Sequence, residues 1–96
     1  MEFDSALYEF MKLIGEDPRI GPSHISLFLA VLYYYREQDF KMPVTIYGRE
    51  LRKQARISAV TYHKCLQDLI ESKCIVYEPS YNPEYGSLIY LVTTDK

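Results

Sequence analysis

Tryptophan is absent from the 96 residues, cysteine and histidine occur twice each, and glycine only four times. These shortages exclude several classes of function. Two thiols, Cys65 and Cys74, do not make the framework of a disulfide scaffold, and they lack the spacing of a metal or redox motif. His63 and Cys65 lie two positions apart, so on a helix they point to nearly opposite sides and do not easily share an ion with Cys74. Both thiols are expected to be buried. No nucleophile–base pair, phosphate loop or metal-ligand set stands at usable spacing, so no enzyme, cofactor, metal or small-molecule ligand is expected. Asp68 and Glu71, three apart on a helix, read as a charged surface pair rather than a dyad. Long apolar runs are missing too, which excludes a membrane-spanning helix. The opening "MEFDSALYEFMK" is acidic and lacks a basic n-region with a cleavage site, so a cytoplasmic protein is expected.

A composition that is 48% hydrophobic and 25% charged suits one globular domain, residues 1–96. A chain this short buries a small core and leaves little volume for a deep cleft. Ten tyrosines carry most of the aromatic content, and their rings suit a core edge where the hydroxyl stays wet. The net charge of −2 argues against a polyanion partner until its distribution is considered. Residues 47–73 hold six basic side chains (Arg49, Arg52, Lys53, Arg56, Lys64, Lys73) against three acidic ones, a local +3. Residues 1–43 hold four basic against seven acidic, and residues 74–96 are also net acidic. Positive charge is therefore concentrated in one segment.

Phe3, Leu7, Phe10, Met11 and Ile14 recur at helical spacing, and Gly15 and Pro18 end that helix. "GPSH" at 21–24 predicts a turn, with Ser23 capping a second helix that runs to about Glu37. Ile25, Leu27, Phe28, Leu29, Val31, Leu32 and Tyr35 make that helix apolar round most of its circumference, as a central helix should be. "VTIY" at 44–47 suits a short strand. "GRELRKQA" at 48–55 suits a short helix with Leu51 and Ala55 inward. A turn at Arg56–Ile57 leads to Ser58, the cap of a further helix. There Tyr62, Cys65, Leu66 and Leu69 fall on one side, and Val60, His63, Lys64, Gln67 and Glu71 on the other. Thr61 and Asp68 lie on a flank. "CIVYEP" and "SLIYLV" then read as two strands of a hairpin around the turn-rich "SYNPEYG".

"ELRKQARISAVTYHKCLQDLIESKCIVYEPS" resembles the helix-turn-helix and first wing strand of bacterial winged-helix transcriptional regulators. Leu51, Ala55, Ile57 and Ser58 match the family's inward Leu, small residue, apolar turn residue and cap. Tyr62, Leu66 and Leu69 match its inward positions. The resemblance covers residues 44–92, with residues 23–37 as a core helix. "TYHKCLQDL" with "YEPSYNPEYGSL" is similar to small regulators borne on bacterial mobile elements. The resemblance implies an α+β fold: a helical core, a helix-turn-helix and a C-terminal β-hairpin wing. It implies duplex DNA as partner, with residues 58–72 as a recognition helix in the major groove. This chain has Arg56 and Lys73 where the family usually has glycine, and its wing tip has no Lys or Arg but contains Glu84.

On that reading Ser58, Ala59, Val60, Thr61, His63, Lys64 and Gln67 face the bases. Ala59, Val60 or Thr61 would touch thymine methyls, Lys64 a guanine or phosphate, and Gln67 an adenine. Arg49, Arg52, Lys53 and Arg56 would meet phosphates, and wing contacts would fall to Tyr81, Asn82 and Tyr85. For a DNA binder, Arg49, Arg52, Arg56 and Lys64 must share one face. The first helix, residues 1–15, either packs on the core or pairs with a second copy, which would present two recognition helices to a palindromic site. A different class of function is also open: a winged-helix protein-interaction module that does not bind DNA, favoured by the acidic charge, the many tyrosines and the non-basic wing.

Overall fold

Four helices and three short strands succeed one another as α1 (Phe3–Ile14), α2 (Pro22–Glu37), β1 (Val44–Ile46), α3 (Gly48–Ala55), α4 (Ala59–Glu71), β2 (Ile75–Glu78) and β3 (Ser87–Leu91). The structure is a computed structural model and describes residues 3–80 and 86–92. The class is α+β, and the order of elements is compatible with a winged helix.

The start of α2 differs from expectation. Pro22 takes the first turn, where its missing N–H loses no partner and its φ already suits a helix. Gly21, with φ −124° and ψ −167°, is therefore the cap, and not Ser23. Glycine has no side chain to cap with, but His24 reaches back: its Nδ1 accepts the Gly21 N–H at 3.0 Å. From there Leu27, Phe28, Val31, Leu32 and Tyr35 are buried, and α2 packs against α3, α4 and β1. It is not apolar-buried all round, however. Leu29 is 46% exposed and Tyr33 44%, because no described element is layered on that face.

Helix α1 turns Ala6 and Phe10 inward, and the Phe10 ring stacks on Phe28 with centroids 3.9 Å apart. Leu7, Leu13 and Ile14 are half-buried against the core, whereas Met11, expected on the inward stripe, is exposed. Centring the helix on Phe10 brings Ala6 in and rotates Met11 out by one position. The expectation for the Phe3 side chain lies outside the described residues.

The sheet has the order β1-β3-β2, antiparallel throughout. Ile89 of the middle strand sits opposite Val44 on one side and Tyr77 on the other, and both Val44 and Ile89 are fully buried. The hairpin strands are thus joined by β1, which the sequence reading left unpaired. At Gly86 the chain passes so close to β1 that a Cβ would lie 2.7 Å from the Ile46 carbonyl carbon. The outer edge of β1 is closed by a side chain. Gln38 Nε2 donates to the Thr45 carbonyl at 2.9 Å, and its Oε1 accepts the Thr45 N–H at 3.1 Å.

The left-handed backbone positions are Asp39, Phe40, Arg56 and Lys73, and no described glycine has positive φ. Arg56 and Lys73, both at φ 62°, end α3 and follow α4 where glycine would be costless. No helix among the described residues is long and apolar enough to cross a membrane.

Candidate nucleic-acid interface

The α3–α4 unit is held from within by Leu51 and Ala55 on one helix and Tyr62, Cys65, Leu66 and Leu69 on the other, all buried. Tyr62 also backs onto the start of α3, where a Cβ on Gly48 would meet its hydroxyl at 3.1 Å. Burial, with Tyr77 nearby, pushes the Tyr62 phenol up to about 12. Ser58 caps α4 as expected: its Oγ accepts the Thr61 N–H at 3.2 Å and donates to Thr61 Oγ1 at 3.0 Å. Both hydroxyls are thus committed to the helix start. Ser26 Oγ, from α2, donates to the Ala55 carbonyl and fixes the end of α3.

With its inner side anchored, α4 presents Ala59, Val60, His63, Lys64 and Gln67 to solvent, and Thr61 is half-buried. Val60 is 81% exposed, the highest value of any large apolar side chain described. An aliphatic group in the first turn of a helix, with so little of it covered, is free to touch a partner.

The cations of this region separate into two groups. Arg52, Lys53 and Arg56 line one shallow concavity of about 570 Å³ with Tyr34, Gln54, Ile57 and one carboxylate, Glu50, and among the described residues none of the three cations forms an ion pair. Arg49 does not line it. Its guanidinium stands 5.7 Å from the Tyr47 ring and 3.9 Å from the Glu50 carboxylate. Lys64 is also engaged, its Nζ donating to Asp68 Oδ2 at 3.1 Å. Gln67 Nε2 donates to Glu71 Oε2 at 2.9 Å. The structure therefore brings together three of the expected phosphate contacts and ties Arg49, Lys64 and Gln67 to neighbouring side chains; of the four cations expected to share one face, Arg52 and Arg56 line the concavity and Arg49 and Lys64 do not.

Two polar networks behind this face were not legible beforehand. In the first, Asp68 is buried and is no surface partner of Glu71. Its Oδ2 lies 2.7 Å from His24 Nε2, 44 residues away in sequence, as well as near Lys64. The bond from His24, then that from Lys64, holds the Asp68 carboxyl below its usual range. In the second, Arg19 bonds Asp17, Glu71 Oε1 and Ser72 Oγ, and Ser72 Oγ donates to Asp17 Oδ2 at 2.8 Å. The Arg19 guanidinium keeps Asp17 far below the ordinary carboxylate range. The first fastens the first turn of α2 to α4, and the second fastens the segment before α2 to the end of α4. The i, i+4 spacing of Lys64 and Asp68 was a visible signal for one link. The His24 link had none, because it depends on how α2 crosses α4.

Cys65 and Cys74 are free and buried, as their burial propensity predicted. Burial pushes the Cys74 thiol up to about 11 and raises Cys65 as well. Among the described residues no set of three His, Cys, Asp or Glu is placed to hold a metal ion. The wing residues Tyr81, Asn82 and Tyr85 lie outside the described residues. No protein-family model, curated protein or solved structure matches the chain.

Proposed function

We propose that this chain is a small winged helix-turn-helix protein that binds duplex DNA in the bacterial cytoplasm, as a transcriptional regulator or accessory DNA-binding protein. In this reading α4 is the recognition helix, and residues 58–72 enter the major groove. The observation that carries it is the placement of Arg52, Lys53 and Arg56. In a protein of net charge −2, three cations outnumber the one carboxylate, Glu50, at a concavity beside the start of α4, and none of the three is ion-paired. Phosphates are what such a corner accepts. Beside it, Val60 and Ala59 offer methyl groups to thymine, and Lys64 and Gln67 can reach base edges once they leave Asp68 and Glu71. The antiparallel strands β2 and β3 follow α4 in the order that a wing requires, which supports the same reading.

The test is an anisotropy titration against mixed-sequence duplex DNA at two salt concentrations. Three phosphate contacts correspond to a slope of log affinity on log salt of about −3. The double variant Lys53→Glu/Arg56→Glu is expected to abolish binding while leaving thermal unfolding nearly unchanged, since both side chains are exposed. Lys64→Glu is the less decisive variant, because it would set a second carboxylate against Asp68. Salt-insensitive or absent binding would reject the reading.

A protein-interaction role has its own support. Tyr8 (64% exposed) and Met11 (54%) on α1, with Leu29 and Tyr33 on α2, leave apolar surface uncovered. In this reading that surface receives a second copy or another protein, and a homodimer would also suit a palindromic DNA site. A sedimentation mass equal to one chain at all concentrations would count against pairing.

A further inference from the structure

We propose that Tyr34 is a further DNA-contacting residue, its hydroxyl donating a hydrogen bond to a backbone phosphate at the concavity of Arg52, Lys53 and Arg56. This rests on the DNA-binding reading above and extends the contact surface to α2, outside the helix-turn-helix. Tyr34 lines the concavity beside the three cations. Its ring packs against the core and stands edge-on to Tyr33, with centroids 5.1 Å apart and planes at 76°. The side chain as a whole is half-buried. A tyrosine so placed has an anchored body and a polar tip at the surface. The helix that carries it is fixed to α3 as well, since Ser26 Oγ donates to the Ala55 carbonyl.

The tip is available. Among the described residues the Tyr34 hydroxyl has no hydrogen-bond partner. Burial, then the charge of Glu50, then Tyr33, raise its phenol above the ordinary 10. The group therefore keeps its proton at neutral pH and is a donor. Glu50 lines the same concavity, and its charge acts on the phenol oxygen, which is thus near that space.

Three cations against one carboxylate leave an excess of positive charge for an anion. The unesterified oxygens of a phosphodiester accept from several donors at once, neutral hydroxyls among them. The contributions of the two kinds of donor differ in one measurable way. Guanidinium and ammonium groups neutralise a phosphate and release its counterions, which makes binding depend on salt. A phenol carries no charge and releases none. Tyr34 thus adds affinity and fixes the position of the phosphate without adding to the salt dependence.

The experiment titrates the full chain and its Tyr34→Phe variant with a labelled mixed-sequence duplex at two salt concentrations, beside Lys53→Gln as the reference for a lost cation. Tyr34→Phe keeps the ring and loses only the hydroxyl. It is expected to bind about three- to tenfold more weakly at both salt concentrations, with the wild-type salt slope and the wild-type urea midpoint. Lys53→Gln is expected to lose affinity and also about 1 from the slope. Equal binding by Tyr34→Phe and the wild type would overturn the contact while leaving the DNA reading intact. So would a slope reduced as in Lys53→Gln, which would mean that Tyr34 acts by placing a cation, or a lower urea midpoint, which would make its hydroxyl structural. Absence of wild-type binding at both salt concentrations overturns the contact together with the DNA reading.

Discussion

At the scale of single residues, Arg56 and Lys73 are the most informative. Both take φ 62°, a conformation that costs a non-glycine residue roughly 1 kcal/mol. Both stand where glycine is the usual choice, and Arg56 lines the basic concavity. A charged side chain held at a strained position is what function asks for and stability does not. Arg56→Gly is thus expected to raise unfolding stability by up to about 1 kcal/mol, less whatever the unfolded chain gains in entropy. In the same variant, DNA affinity should fall, and the salt slope should shrink by about 1. Denaturant melts and anisotropy titrations of one preparation check both effects. A variant more stable and equally tight-binding would detach Arg56 from the interface.

At the scale of elements, contacts between segments decide the fold. Gly86 brings β3 against β1, and a Cβ there would stand 2.7 Å from the Ile46 backbone. Backbone cannot yield as a side-chain tip does, so Gly86→Ala should destabilise by about 1–3 kcal/mol, read as a lower urea midpoint. The segment before α2 depends instead on charge. Asp17 and Asp68 both have folded-state values below the ordinary 3.8, through Arg19 and through His24 and Lys64. Groups depressed in this way contribute stability above the unfolded value and lose it as pH falls through the folded one. The wild type should therefore exceed Asp17→Asn in urea midpoint at neutral pH, and the gap should close below about pH 4. A gap that stayed constant down to pH 3 would mean that the Asp17 contacts are neutral in effect.

At the scale of the whole molecule, what could be read from sequence was what depends on local spacing. The inward side of α4 follows from Tyr62, Cys65, Leu66 and Leu69 at helical intervals, and all four are buried. Ser58 caps because a short hydroxyl precedes a helical run. The failures have separate causes. Asp68 looked like surface because His24 is 44 residues distant, and β1 looked solitary because its partner β3 is the last strand described. Met11 and Leu29 looked internal because spacing marks an apolar face without saying whether a second layer exists to cover it. Ser23 lost the capping role to Gly21 because Pro22 is better suited to the first turn than to the position before it. The basic corner was legible as charge in residues 47–73, but the pairing of Arg49 and Lys64 with Glu50 and Asp68 was not.

Gln38 gives the sheet a direction of growth. Its carboxamide copies the peptide group of a fourth strand and occupies the donor and acceptor of Thr45, so nothing can be added beyond β1. Among the described residues, β2 has no strand outside it. A sheet sealed at one end cannot be extended from both, and a fibre of stacked sheets needs both ends. The amide thus acts as a stop at that edge, against strand-by-strand growth through β1. Gln38→Ala removes that stop. In concentrated solution the variant should scatter more light and bind more amyloid dye than the wild type, and equal scattering by the two would show that the sealed edge has no such effect.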